Sequence, residues 1–151
     1  MAEAGNSARY LSFSLGDELY GVPVERVEVV LEMQAVTRVP NAREQIRGVI
    51  NHRGSVVPVI DPRVSFGEGR ATELSSASIV VMQLFFEGEI ITAGVLADGV
   101  REVLDIRDEA LEEPPALSAR GRSFVRKVAR QGEGFILILD IDAALLSAAQ
   151  A

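Results

Sequence analysis

Among the 22 carboxylates of this sequence, four aspartates, Asp61, Asp98, Asp140 and Asp142, could in principle pair as general acid and base. Each stands at the end of an apolar run, where Asp caps turns and helices. The rest of the catalytic inventory is missing. Across 151 residues there is no Cys and one His, His52, with neither G-x-S-x-G nor H-E-x-x-H, so nucleophilic and zinc chemistry lack their minimum parts. The D-I-D of Asp140 to Asp142 falls short of a calcium loop, which needs five or more oxygen donors and a Gly at its bend. Gly67-Glu68-Gly69 is no phosphate loop either, since no Lys-Ser/Thr follows it. No catalytic residue, cofactor or metal is expected.

One polar group is presented differently. In GVINHRGSVVPVID, Gly48 to Asp61, two apolar runs flank Asn51-His52-Arg53-Gly54. That pattern predicts a β-hairpin in which Gly supplies the positive φ of the turn. Arg53 then stands at the tip as an always-charged fork of donors, suited to contacting another protein. His52 beside it is expected to be a solvated surface residue, with no second His to share a metal.

The elements that must position this hairpin are mostly strands. Tyr10 to Leu15 and Leu19 to Val24 flank Gly16-Asp17; Ile79 to Phe86 and Glu89 to Ala97 flank Glu87-Gly88; Phe124 to Arg130 and Phe135 to Asp140 flank a Gly-rich turn. Ala35 to Val39 predicts a further strand ending at Pro40. In Glu25 to Glu32 the spacing of Val27, Val30 and Leu31 predicts a short helix, which turns Val29 outward; Val100, Val103 and Leu104 repeat the spacing. Pro62 to Ser78 predicts a connecting loop, Leu111 to Leu117 an acidic, Pro-rich surface excursion, and the chain past Asp140 a C-terminal helix. Residues 1–9 predict a flexible N-terminal tail.

Laid on itself, the chain repeats. Residues 21–31, GVPVERVEVVL, align without a gap on 94–104, GVLADGVREVL, and 49–61 align on 128–140, ending on Asp61 and Asp140. Each copy holds about five short strands, enough for a small closed barrel. The runs Val56 to Ile60 and Phe135 to Leu139 read as buried on both faces, so the two barrels are expected to share a core. With 22 acidic and 15 basic residues, the net charge of −7 argues against a nucleic-acid binder. The local excess Arg120, Arg122, Arg126, Lys127 and Arg130 reads as the solvated face of a strand. No run is long enough to cross a bilayer, and a soluble cytoplasmic protein is the expectation.

The run G-V-x-N-x-R-G-x-x-V-P-V-x-D, with Tyr20-Gly21-Val22, Val39-Pro40, Gly94-Val95-x-x-Asp98-Gly99-Val100 and Leu139-Asp140, resembles the CheW family of chemosensory adaptors over residues 10–148. The resemblance implies a single mainly β domain of two intertwined five-stranded SH3-like barrels. It implies a non-catalytic adaptor, associated with chemosensory arrays, whose partners are a chemoreceptor's cytoplasmic tip and the regulatory domain of a CheA-type histidine kinase. Carried over, the receptor groove would be lined by Val27, Val30, Val56, Gly99 and Val100, with Arg53 at its edge. Family members usually carry an acid where Val29 stands and commonly Leu where His52 and Pro62 stand. Val29 and His52 are therefore candidate selectivity positions, and a receptor-binding module that leaves the kinase alone is the alternative.

Overall fold

The computed structural model describes residues 6–67, 74–114 and 124–143. Two antiparallel hairpins form where Gly punctuates alternating apolar runs: β1 (Ser7–Leu15) with β2 (Glu18–Pro23), and β6 (Ser78–Phe86) with β7 (Glu89–Ala97). A 3-10 turn, Val24–Arg26, leads into β3 (Val27–Glu32), and β4 (Ile46–His52) and β5 (Ser55–Ile60) make the central hairpin. After α1 (Pro62–Ser65) and the β6–β7 hairpin come β8 (Gly99–Arg107), β9 (Leu111–Glu112), β10 (Val125–Gln131) and β11 (Gly134–Leu139).

Sheet order makes the repeat visible in three dimensions. One sheet runs β8-β1-β2-β11-β10-β9 and the other β3-β6-β7-β5-β4. Replacing each strand by its repeat equivalent converts β3-β6-β7-β5-β4 into β8-β1-β2-β11-β10. Each SH3-like barrel therefore takes one hairpin, β1–β2 or β6–β7, from one half of the chain and three strands from the other. The parallel contacts agree residue by residue, Ile138 against Gly21 in one barrel and Val59 against Gly94 in the other. Both copies also lay a crossover segment on the outer hairpin strand, Thr37 on Val49 in one and Leu111 and Glu112 on Ala129 and Val128 in the other, which covers part of an otherwise unpaired edge.

Packing follows from the same exchange. Alternate residues of β6 point to opposite faces, so Ile79 and Val81 fill the interior of their own barrel while Val80 and Met82 enter a core between the barrels. That intervening core also takes Leu11, Phe13, Leu15 and Val22 from β1 and β2, and Val95 and Leu139 from the second half of the chain. The first barrel keeps a smaller interior of Ile106, Ala129, Ile136 and Ile138. Burial on both faces holds only for Val59-Ile60 and Ile138-Leu139; Pro58 and Leu137 are half-buried, and the leading residues Val56 and Phe135 are 75% and 50% exposed.

Several local expectations are corrected. Glu25 to Glu32 is not a helix: past the 3-10 turn it is a strand, with Val29 and Leu31 turned into the second barrel's interior, Val27 turned toward the core between the barrels, and Glu28, Val30 and Glu32 exposed. Pairing of Val27 with Met82 and Val29 with Val81 leaves Glu28 as the extra residue of a β-bulge, and β8 slips similarly between Val100 and Val103. A bulge breaks strict alternation, which is why valines and leucines in both stretches mimic helical spacing. The Ser12 hydroxyl, buried opposite the β8 bulge, donates to the Glu102 carbonyl (2.7 Å) and accepts from the Glu102 N–H (3.1 Å). Ala35 to Val39 contributes one bridge at Thr37 and no strand.

The predicted 62–78 loop contains α1, and the 1–9 tail is ordered as strand from Ser7. Leu111–Glu112 of the acidic excursion is strand β9, while residues 115–117 lie outside the described residues. Arg120 and Arg122 of the basic stretch also lie outside them, as does the C-terminal helix beyond Ile141 to Ala143, which are helical.

Inward-facing Val29 packs against the second barrel's interior of Ile50, Val57, Val59, Ile79, Val81 and Leu96. An outward position would tolerate a carboxylate; this one does not. Val29→Glu is therefore expected to lose about 1–3 kcal/mol by placing a carboxylate against apolar side chains, whereas Val30→Glu on the exposed face stays within roughly 0.5 kcal/mol of wild type. Urea titration of both variants checks this, and equal midpoints would contradict the strand parity.

Candidate functional site

The aspartates act as ties. Asp61, fully buried at the end of β5, accepts from the Arg63 N–H (3.1 Å) and caps α1, with Arg47 Nη1 at 3.5 Å. Its repeat equivalent Asp140 accepts from the Ala143 N–H (3.3 Å), and the backbone amides of the pair make matching bonds, Asp61 to Gln45 (2.7 Å) and Asp140 to Phe124 (2.8 Å). Asp142 accepts from Arg26 Nη2 (2.6 Å) and the Phe85 N–H (2.8 Å), while the Arg26 guanidinium lies 4.2 Å over the Phe85 ring.

Asp98 clamps the linker helix to the first hairpin. Its Oδ2 accepts from Arg63 and from the Gly16 N–H (2.6 Å). Partial burial pushes the Asp98 carboxyl up, but the hydrogen bonds from Arg63 and Gly16 and the charge of Arg63 outweigh it, so its pKa lies below the ordinary carboxylate value. A depressed folded pKa contributes stability that is present above the unfolded value, about 3.9, and lost as pH falls through the folded one. Asp98→Asn should therefore lower the pH 7 melting temperature by the equivalent of about 1 kcal/mol or less, because the pair is partly exposed. The gap to wild type should close in melts taken below pH 3.5 or so.

At the tip of the central hairpin the backbone is strained by design of its turn. His52 pairs with Ser55 across two residues that both have positive φ, Arg53 at 54° and Gly54 at 83°. That is the primed two-residue turn, which Asn-Gly fits best; a long side chain in the left-handed region costs about 1–2 kcal/mol. The Gly54 N–H donates to Asn51 Oδ1 (2.9 Å) and holds the turn closed. Arg53 is exposed at its end.

Arg53 borders an open cleft of ≈ 620 Å³ whose walls include Glu28, His52, Val56, Pro58 and Ile90. Val56 and Ile90 are 75% and 62% exposed, and Phe85, which pairs with Ile90 across β6–β7, is 50% exposed. An apolar floor beside a pre-aimed cation suits a protein partner. His52 departs from expectation: its side chain is 11% exposed and its Nε2, which has no hydrogen-bond partner, stands 3.5 Å from Glu28 Oε2.

Of the residues expected in a receptor groove, Arg53 and Val56 line this cleft. Val27 and Val100, repeat equivalents, are half-buried against the core between the barrels, and half-buried Gly99 opens β8 beside Ser14, whose Oγ donates to the Gly99 carbonyl (3.3 Å). Val30, 40% exposed on the outer face of β3, does not line the cleft. Val29 faces the barrel interior. Glu28 and Ile90 escaped the sequence reading: nothing local says that the bulge residue of β3 meets the end of β4, and Ile90-Ile91 gives no parity. The first barrel carries an equivalent cleft of ≈ 690 Å³ with Phe135 in place of Val56 and an acidic rim of Asp17, Glu18, Glu112 and Glu113.

Residues 9–149 match the family described as CheW-like domain. The chain is 30% identical over 139 residues to Chemotaxis protein CheW of Klebsiella aerogenes, covering 91% of this chain and 81% of that protein. To Chemotaxis protein CheW of Treponema pallidum it is 27% identical over 142 residues, covering 93% and 84%. The crystal structure of the scaffolding protein TtCheW from Thermoanaerobacter tengcongensis superimposes with a TM-score of 0.80 at 30% identity, covering 92% of each chain.

Proposed function

The chain belongs to the CheW-like domain family, and from that premise we propose that it is a non-catalytic adaptor coupling the cytoplasmic tip of a methyl-accepting chemoreceptor to the regulatory domain of a CheA-type histidine kinase. The observation that carries this reading is the central hairpin, which holds an exposed Arg53 in a left-handed conformation beside the exposed Val56 and Ile90. Backbone strain of this kind clusters at sites that make functional contacts. Val27 and Val100, at the edge of the core between the barrels, remain the proposed receptor-groove positions together with Val30, Val56 and Gly99. The protein works in the cytoplasm, at the receptor array. Because Val29 faces inward, the motive for a module that avoids the kinase falls away, and a two-partner adaptor is the better reading.

Arg53 separates contact from fold. Arg53→Asn suits the primed turn and should raise stability by up to about 1 kcal/mol, yet weaken partner binding by about 1–3 kcal/mol, as loss of an interface Arg does. Titrating purified receptor tip and kinase regulatory domain separately against wild type and variant, alongside thermal melts, reads both quantities. Undiminished affinity for both partners would remove Arg53 from the interface, and failure of the wild type to bind either would overturn the adaptor reading.

A further inference from the structure

We infer that His52 is a positioning residue for Arg53, fastened to Glu28 across the seam of the second barrel, and that this clasp makes binding at the hairpin tip pH-dependent. The inference rests on the adaptor reading for its partner and on geometry for the rest. β3 and β4 are the two outermost strands of the sheet order β3-β6-β7-β5-β4. At one end they meet through Glu28, the bulge residue of β3, and His52, the last residue of β4 before the turn. His52 Nε2 is buried without a hydrogen bond, 3.5 Å from a carboxylate oxygen of Glu28. A buried nitrogen so placed can donate to the carboxylate, which only accepts, from the neutral Nε2–H tautomer or from the imidazolium, and the imidazolium adds the attraction of opposite charges.

Two charged groups neighbour the imidazole: Glu28 faces it from β3, and Arg53 follows it in the turn. From β5 and β7 the cleft receives residues 55–58 and 90–92, which carry no ionisable side chain. The repeat supplies an internal control, since His52 and Glu28 correspond to Gln131 and Arg101 in the first barrel, a pair with no group that titrates near neutrality. Imidazoles change charge between pH 5 and 8. In that range protonation adds an ion pair between the end of β4 and the bulge of β3 and steadies the left-handed turn that aims Arg53; deprotonation removes that added attraction.

Two measurements on the full chain test this. Affinity for whichever partner binds the Arg53 tip should strengthen roughly threefold to fivefold between pH 8 and pH 5.5, the range of a partly exposed ion pair. The slope should vanish in His52→Gln and in Glu28→Gln. Independently of any partner, hydrogen-exchange protection of the Gly54 amide at pH 5.5 should be higher in wild type than in either variant at the same pH, while Gly132 at the equivalent tip of β10–β11 should not respond. Equal Gly54 protection, or a pH slope that survives both substitutions, would overturn the clasp. If no partner binds at any pH, the adaptor reading fails while the Gly54 comparison still decides the clasp.

Discussion

Cut between residues 68 and 73, the chain is expected to give two fragments that show no cooperative unfolding alone and recover a single sigmoidal transition when mixed one to one. The reason is strand exchange. β1 and β2 find β8 and β11, and β3 and β5 find β6 and β7, so neither fragment contains a complete barrel. The first fragment alone would expose Leu11, Phe13, Val22, Val57 and Val59, all buried in the intact chain. At about 1.5–3 kcal/mol per fully buried large aliphatic or aromatic side chain, that loss is as large as the 5–15 kcal/mol margin on which domains stand. Circular dichroism in urea on each fragment and on the mixture is the measurement. A sharp transition from either fragment alone would show that a half-chain closes its own core and would contradict the intertwined single domain.

The second large effect is expected at Gly48. Its φ is +149°, and a Cβ built there would lie 2.2 Å from the Thr37 carbonyl oxygen and 2.8 Å from Val36 Cγ1. Thr37 and Val49 exchange two backbone hydrogen bonds at 2.9 and 2.8 Å directly beside it, so the obstruction is backbone that cannot swing aside. Gly48→Ala should therefore cost about 3 kcal/mol, the upper range for overpacking with backbone displacement, and lower the melting temperature by roughly 6–12 °C for a chain of this size. Gly54→Ala is the matched comparison: φ is +83° but nothing lies within 4 Å of the added carbon, leaving backbone strain alone, about 1–2 kcal/mol. Equal losses at the two sites would mean that the close approach of Thr37 carries no penalty.

Hairpins, repeat and Arg53 tip were legible in the sequence because each rests on short-range rules. Gly at a turn, alternation on either side and Asp before a helix are satisfied by neighbours a few residues away, and Asn51-His52-Arg53-Gly54 folds as those rules require. The self-alignment likewise put Asp61 and Asp140 in equivalent capping roles before any contact was visible. Where the pattern is broken by a bulge, the same rules misled. Val27 and Val30 share a face at a helix-like spacing of three only because Glu28 is an extra residue in a strand, while Leu31 lies with Val29 on the other face, and whether Val29 points to solvent or to Ile50 and Val81 depends on that one insertion.

The turns, the apolar runs, the duplication and the cation at the hairpin tip follow from residue type and spacing along the chain. Only the tertiary structure decided that hairpins change partners between halves, that the largest core lies between the barrels, and that His52 is folded under Glu28 from a strand two dozen residues away. Those outcomes depend on which sheet edges meet when the barrels close, and closure is set by burial summed over the whole chain rather than by any local run.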